Sequence, residues 1–274
     1  MITGKGSTTE TLTVEDVRQL IAQACDHLPL DGKRVLVIIP DGTRTAPIAL
    51  FFRLLYEQLG QRVERLDYLI ALGTHPPLSE EAIERLVGVS ARERAESFPR
   101  VRVFNHHWAQ AEMLQTIGVI SRQEAARLTG DLLVDEVPVT LNRLIFDYDQ
   151  LMICGPVFPH EVAGFSGGAK YLFPGIAGPD IINFTHWLGA LVTSMHTIGI
   201  KDTPVLRVIT QAAAFVPRIS VTLATGIPEE RCRHINLGYA DYREIDPEAC
   251  MGREQEGILY VPHAGEVLYR ARGI

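Results

Sequence analysis

The 274-residue chain lacks any apolar run long enough to cross a bilayer, and its amino terminus, MITGKGSTTETLT, is polar with no apolar signal core. Both absences lead to the expectation of a cytoplasmic protein with no membrane partner. Basic excess is lacking too. A net charge of −7 offers no positive surface to a nucleic-acid partner, which is therefore not expected. Cysteine is sparse: Cys25, Cys154, Cys232 and Cys250 are scattered without C-x-x-C spacing, in a chain large enough to fold around its own core. Reduced thiols follow, with Cys154 read as a small buried residue. The nucleotide-binding spacing G-x-x-x-x-G-K-[ST] is also missing, because the lysine behind the glycine-rich loop, Lys170, is followed by Tyr171.

What is present is a repeated strand, loop and helix. Thr13 can cap a helix running to about residue 27, with Glu15 and Asp16 in its first turn. Arg34 to Pro40 is a continuous β-branched run, as in a strand covered on both faces, and an apolar helix follows from Ile48. A second strand, Asp67 to Leu72, runs into a loop and a helix capped by Ser79. Strands are expected at Val101–Phe104, 113–120, 132–139 and 219–223, with a last one at Gly257–Pro262. Leu151–Cys154 reads as the end of a buried strand stopped by Gly155 and Pro156. Helices are expected at Trp187–Met195 and Pro204–Phe215. The fold class is α/β: an open, mostly parallel sheet flanked by helices, with a short C-terminal extension. The expected division is a domain over 1–225 and a short segment over 226–274.

The most biased stretch is Cys154 to His186, which holds two histidines, one lysine and six glycines. In open α/β sheets ligands collect where loops leave the carboxyl ends of strands, and this loop begins at such an end. The run from Gly164 to Lys170 can turn backbone N–H groups inward and hold a lysine behind them. Two other loops follow strands in the same way. Asp41-Gly42-Thr43-Arg44 could cradle a carboxylate or phosphate, or Asp41 and Thr43 could merely cap the next helix while Arg44 pairs with a surface acid. His75, in Gly73-Thr74-His75-Pro76, is either a site residue or a solvated loop histidine. The adjacent His106 and His107 point to opposite sides of an extended chain and are read as rim or surface residues. His196 could share a helix face with His186 or simply end the helix.

His160 to Lys170, HEVAGFSGGAK, continuing through Phe173-Pro174-Gly175 to His186, resembles the central signature of the lactate racemase family. The resemblance implies a racemase or epimerase of 2-hydroxy acids that uses a nickel-pincer nucleotide, Ni(II) pyridinium-3,5-bisthiocarboxylic acid mononucleotide. It implies Lys170 as the covalent tether, His186 as the nickel ligand, and His160 as one catalytic base. The segment from Asp41 is similar to the family's D-x-T-R-P motif, which implies that Asp41 and Thr43 approach the cofactor and Arg44 holds the substrate. This chain has Thr45 where the family often has proline. Gly73-Thr74-His75 resembles the pattern carrying the second base, His75, with Pro76 where relatives carry arginine. Gly167 and Gly168 would lie against the cofactor, and Asn142 resembles a family asparagine that packs beneath the site.

The resemblance reaches roughly residue 225. Relatives continue with a second α/β domain whose lysine, glutamine and tryptophan have no match here. The expected partners are a small 2-hydroxy acid and the proteins that build the cofactor, with a second copy of the chain as an open alternative. The alternatives are a non-catalytic relative that binds a nucleotide or metal, and a divalent-metal hydrolase using His75, His160 and His186.

Overall fold

The computed structural model describes residues 4–5, 12–26, 28–44 and 46–216 with their side chains, and 219–225 as backbone. The readings at Thr45, Cys232, Cys250, 226–274 and the strand at Gly257–Pro262 lie outside the described residues. Helix α1 (Val14–Asp26) leads to β1 (Arg34–Pro40), α2 (Ile48–Leu59), β2 (Arg65–Ala71), α3 (Glu80–Val87), α4 (Ala91–Ser97) and β3 (Val103–Asn105). A hairpin of β4 (Leu114–Ile120) and β5 (Val137–Asn142) brackets α5 (Arg122–Thr129). Then come β6 (Gln150–Pro156), the short antiparallel pair β7 (Pro159–His160) and β8 (Gly164–Phe165), α6 (Pro179–Val192), α7 (Pro204–Ala213) and β9 (Ile219–Thr225).

Five strands form one sheet in the order β3-β2-β1-β6-β9, and every pairing in it is parallel. The chain moves outward from β1 through β2 to β3, then returns to the other side of β1 for β6. Strands β1 and β6 therefore flank the point where the order reverses, which is where an α/β sheet opens a crevice for ligands. Strand alternation splits the core in two. Val35, Val37 and Ile39 face the layer containing Phe52, Leu55 and Ile83, whereas Leu36 and Ile38 face Leu141, Leu172 and Val208. Among the described residues no helix is long and apolar enough to cross a membrane.

Several boundaries differ from expectation. Strand β6 does not stop at Cys154, because Gly155 and Pro156 keep their register with Ala224 and Thr225 of β9. Proline is tolerated there as the last strand residue. Gly155 is required because a side chain at that position would meet the Tyr171 hydroxyl at 2.0 Å. Helix α6 begins eight residues before Trp187, at Pro179, whose missing N–H costs nothing in a first turn. Helices α4 and α5 were not expected, although Ser90 with Glu93 and Ser121 with Glu124 have the spacing of a helix-starting box. Both serines do accept the N–H three residues on. The expected strand over 132–139 shrinks to one that starts only at Val137, and His196 lies in a short turn beyond the end of α6, away from His186's helix.

Candidate active site

Loops from the carboxyl ends of β1, β2 and β6 meet α6 around one open cleft. Behind β1, Asp41 is only 5% exposed. Its Oδ1 accepts the Thr43 N–H at 3.1 Å and the Thr43 hydroxyl at 2.5 Å, while Oδ2 lies 2.5 Å from His75 Nδ1. Burial works to raise the Asp41 pKa, but the hydrogen bonds from Thr43 and His75 outweigh it and hold the carboxylate ionised. Neither residue caps α2, whose N-cap is Pro47. A carboxylate can only accept, so His75 carries its proton on Nδ1 and presents a lone pair at Nε2.

Arg44 donates to the Thr43 hydroxyl oxygen at 3.1 Å and lies 5.8 Å from the centre of the Phe158 ring. Among the described residues it forms no ion pair, so the reading in which it serves a surface acid is not realised. It borders the cleft with no ion-paired carboxylate among the described residues.

The loop after β6 is folded by β7 and β8, where His160 pairs with Gly164. Gly164 at φ +97° passes so close to the Ile200 carbonyl that a Cβ would lie 2.0 Å from its oxygen. Gly167, at φ +92°, leaves no room beside Val157. His160 is 6% exposed, and its Nδ1 accepts the N–H groups of Val162 at 3.0 Å and Ala163 at 3.4 Å. Burial, reinforced by Lys170, Arg44 and His186, drives its pKa well below the ordinary histidine value. Lys170 is partly buried in the cleft wall. Burial pushes its ammonium pKa down to about 8 and Arg44 adds to this, while Glu161 pulls the other way. His186 stands on α6, where its Nδ1 donates to the Ile182 carbonyl at 2.7 Å. That bond leaves the Nε2 lone pair on the outer edge of the ring.

Of the nine residues expected at the site, all but Gly168 line this cleft. Gly168 does not line it and lies at φ +51° in the turn that carries Lys170. Glu161, Ser166, Tyr171 and Thr185 also line the cleft and were missed. All four fall within the signature stretch, but nothing in their spacing distinguishes wall residues from core.

His106 corrects the reading of the His106–His107 pair as rim or surface. It is fully buried, with Nδ1 accepting from the Asn142 amide at 3.1 Å and Nε2 donating to the Ala177 carbonyl at 2.9 Å. Asn142, equally buried, also binds the Ile176 carbonyl through its backbone N–H and accepts from the Leu144 N–H. Together they fasten the 175–178 turn beneath the cleft.

The lactate racemase N-terminal domain matches residues 7–199. This chain belongs to that family. A lactate racemase of Thermoanaerobacterium thermosaccharolyticum is 28% identical over 159 residues, 57% of this chain and 33% of that protein. The crystal structure of a Thermotoga maritima protein matches with a TM-score of 0.71 at 31% identity, over 78% of this chain and 51% of that one. The lactate racemase apoprotein from T. thermosaccharolyticum matches with a TM-score of 0.57 over 78% of this chain and 49% of that one. At 22% identity this last likeness is one of fold. The chain thus spans about a third of the curated relative's length and about half of each solved chain.

Proposed function

We propose that this lactate racemase N-terminal domain carries a nickel-pincer nucleotide on Lys170 and serves the racemisation or epimerisation of a 2-hydroxy acid. The observation that carries the reading is that Lys170, His186, His75, His160 and Arg44 all border one cleft. The residues fit such a group. An amine with a pKa of about 8 is partly neutral under physiological conditions and can be acylated. His186, held by Ile182, offers nickel a neutral imidazole. Among the described residues no three histidine, cysteine, aspartate or glutamate side chains group as a metal site. The protein's single ligand therefore suits a metal that arrives with ligands of its own, and the grouping needed for a hydrolytic metal centre of His75, His160 and His186 is missing there.

When bound, such a pyridinium-derived group would supply an electrophilic carbon able to accept a hydride from C2 of the substrate and give it back. The chain's own part is to hold the substrate and move a proton. Arg44 would take the substrate carboxylate, and His75 Nε2, with Asp41 behind Nδ1, would accept the hydroxyl proton. His160 borders the cleft from another loop as the second histidine at the substrate oxygen. Gly167 borders the cleft where the cofactor would lie, and Gly168, at φ +51°, shapes the turn that carries the tether. Cytoplasmic residence, with Cys25 and Cys154 as buried free thiols, belongs to the same reading, as do the cofactor-building proteins as partners.

Co-expression with those proteins, followed by intact mass and metal analysis, tests it. The expected result is a mass above the bare polypeptide, lost in Lys170→Ala, with nickel retained. A bare mass in the loaded host refutes the tether. A loaded protein that turns over no chiral 2-hydroxy acid supports the non-catalytic binder instead.

A further inference from the structure

Three histidines border the cleft, and the partners of their Nδ1 atoms fix three tautomers. His75 Nδ1 faces the Asp41 carboxylate at 2.5 Å and His186 Nδ1 faces the Ile182 carbonyl at 2.7 Å. Both partners only accept, so both rings hold Nδ1–H and show a lone pair at Nε2. His160 is reversed. Its Nδ1 receives N–H groups, from Val162 at 3.0 Å and Ala163 at 3.4 Å, and backbone amides cannot accept. The lone pair of the neutral ring is therefore spent on the loop, and its proton sits on Nε2.

From this geometry we infer that His75 is the only proton acceptor of the pair, and that His160 acts as a neutral hydrogen-bond donor to the substrate oxygen. The inference rests on the racemase reading for its chemistry but not for its geometry. As the C2 hydrogen departs, the hydroxyl proton passes to His75 Nε2, giving an imidazolium balanced by Asp41. His160 Nε2–H bonds to the oxygen as it becomes a carbonyl and releases nothing. On return, His75 gives the same proton back. The oxygen then stays between the two rings while the rest of the molecule turns about the C2–O bond, and Arg44 holds the carboxylate in one of the two orientations.

A proton on His160 Nδ1 would have to displace two backbone N–H groups pointing at it. The cationic neighbours Lys170 and Arg44 oppose a second charge there, as does His186, and burial acts in the same direction. Among the described residues Glu161 favours it, with Oε2 3.4 Å from Nδ1, beyond the roughly 2.7–2.9 Å of a charge-assisted bond.

The test needs no cofactor. Long-range proton–nitrogen correlation on apoprotein with 15N-labelled histidine reads each tautomer directly, with His160→Gln and His75→Gln assigning the signals. The expected pattern is Nε2–H for His160 and Nδ1–H for His75, in both the wild type and Glu161→Gln. Nδ1–H on His160, or a mixture that Glu161→Gln abolishes, overturns the inference. In the loaded enzyme, glutamine at 160 keeps a donor where imidazole had one. His160→Gln should therefore recover at least about tenfold of what His160→Ala loses, while His75→Gln recovers nothing over His75→Ala, about 10²–10⁴-fold below wild type. Equal losses in the two glutamine variants refute the assignment. Absence of any turnover refutes the racemase reading and leaves the tautomers to stand or fall by the spectra.

Discussion

Replacing Lys170 with methionine keeps an unbranched side chain in the cleft wall and removes its charge. The ammonium has a pKa of about 8 in the folded protein against 10.5 for an ordinary lysine, the difference arising chiefly from burial with Arg44 adding to it. Below about pH 8 both folded and unfolded chains carry the proton, and the folded state bears the whole cost of holding a charge in a poor place. Between about 8 and 10.5 the unfolded chain binds a proton that the folded one does not, so stability rises with pH. Above 10.5 both are neutral and the cost is gone. At 1.36 kcal/mol for each pH unit of displacement, the cost at neutral pH reaches up to about 3 kcal/mol, reduced by whatever solvent the open cleft supplies. Lys170→Met apoprotein should therefore be more stable than wild type in urea titrations near pH 7, with an unchanged m-value. The gap should close as the buffer is taken toward pH 10.5. A variant that is less stable, or a gap indifferent to pH, refutes the claim that the domain holds this amine under strain for a chemical purpose.

His106 makes a complementary case, because burial pushes its pKa down to about 4 from 6.5. The folded ring stays neutral while the unfolded one charges, so wild type should lose up to about 3 kcal/mol as pH falls from 6.5 to 4. His106→Gln should flatten that limb in acid denaturation followed by circular dichroism. Gly167→Ala places a Cβ 2.5 Å from Val157 Cγ2 at φ +92°, and should cost about 1–3 kcal/mol by thermal unfolding. Trimming Val157 to alanine as well should recover only the contact share, leaving the backbone share. His186→Ala should keep the added mass at Lys170 but lose nickel by metal analysis; loss of both together would mean that tethering depends on the metal ligand.

The sheet was legible because β1 is a run of Val, Ile and Leu, and β2 and β6 are short, largely apolar runs bounded by turn residues, as in strands covered on both faces. The candidate cleft was legible because the polar residues that line it follow those runs directly. What the sequence concealed depends on tertiary partners. His106 looks like a surface residue beside His107, until Asn142 and the Ala177 carbonyl arrive from 36 and 71 residues away to satisfy both its nitrogens. Likewise Gly155 and Pro156 read as a stop, because the strand that keeps them in register lies more than sixty residues downstream. The pairing of Asp41 with His75 spans two loops, and no spacing rule connects them. Helices α4 and α5 are different: Ser90 and Ser121 announced them locally, and that signal was there to be used.

The notch at Gly155 has a further consequence. Its missing side chain leaves a socket between the ends of β1 and β6, and the phenol of Tyr171 plugs it, with Pro40 closing the other wall. The neighbouring residue along the chain is Lys170. The amine is thus moored by a ring wedged into the end of the sheet, and under the proposed tethering an incoming acyl donor would find its target already in position instead of having to gather a loose loop around itself.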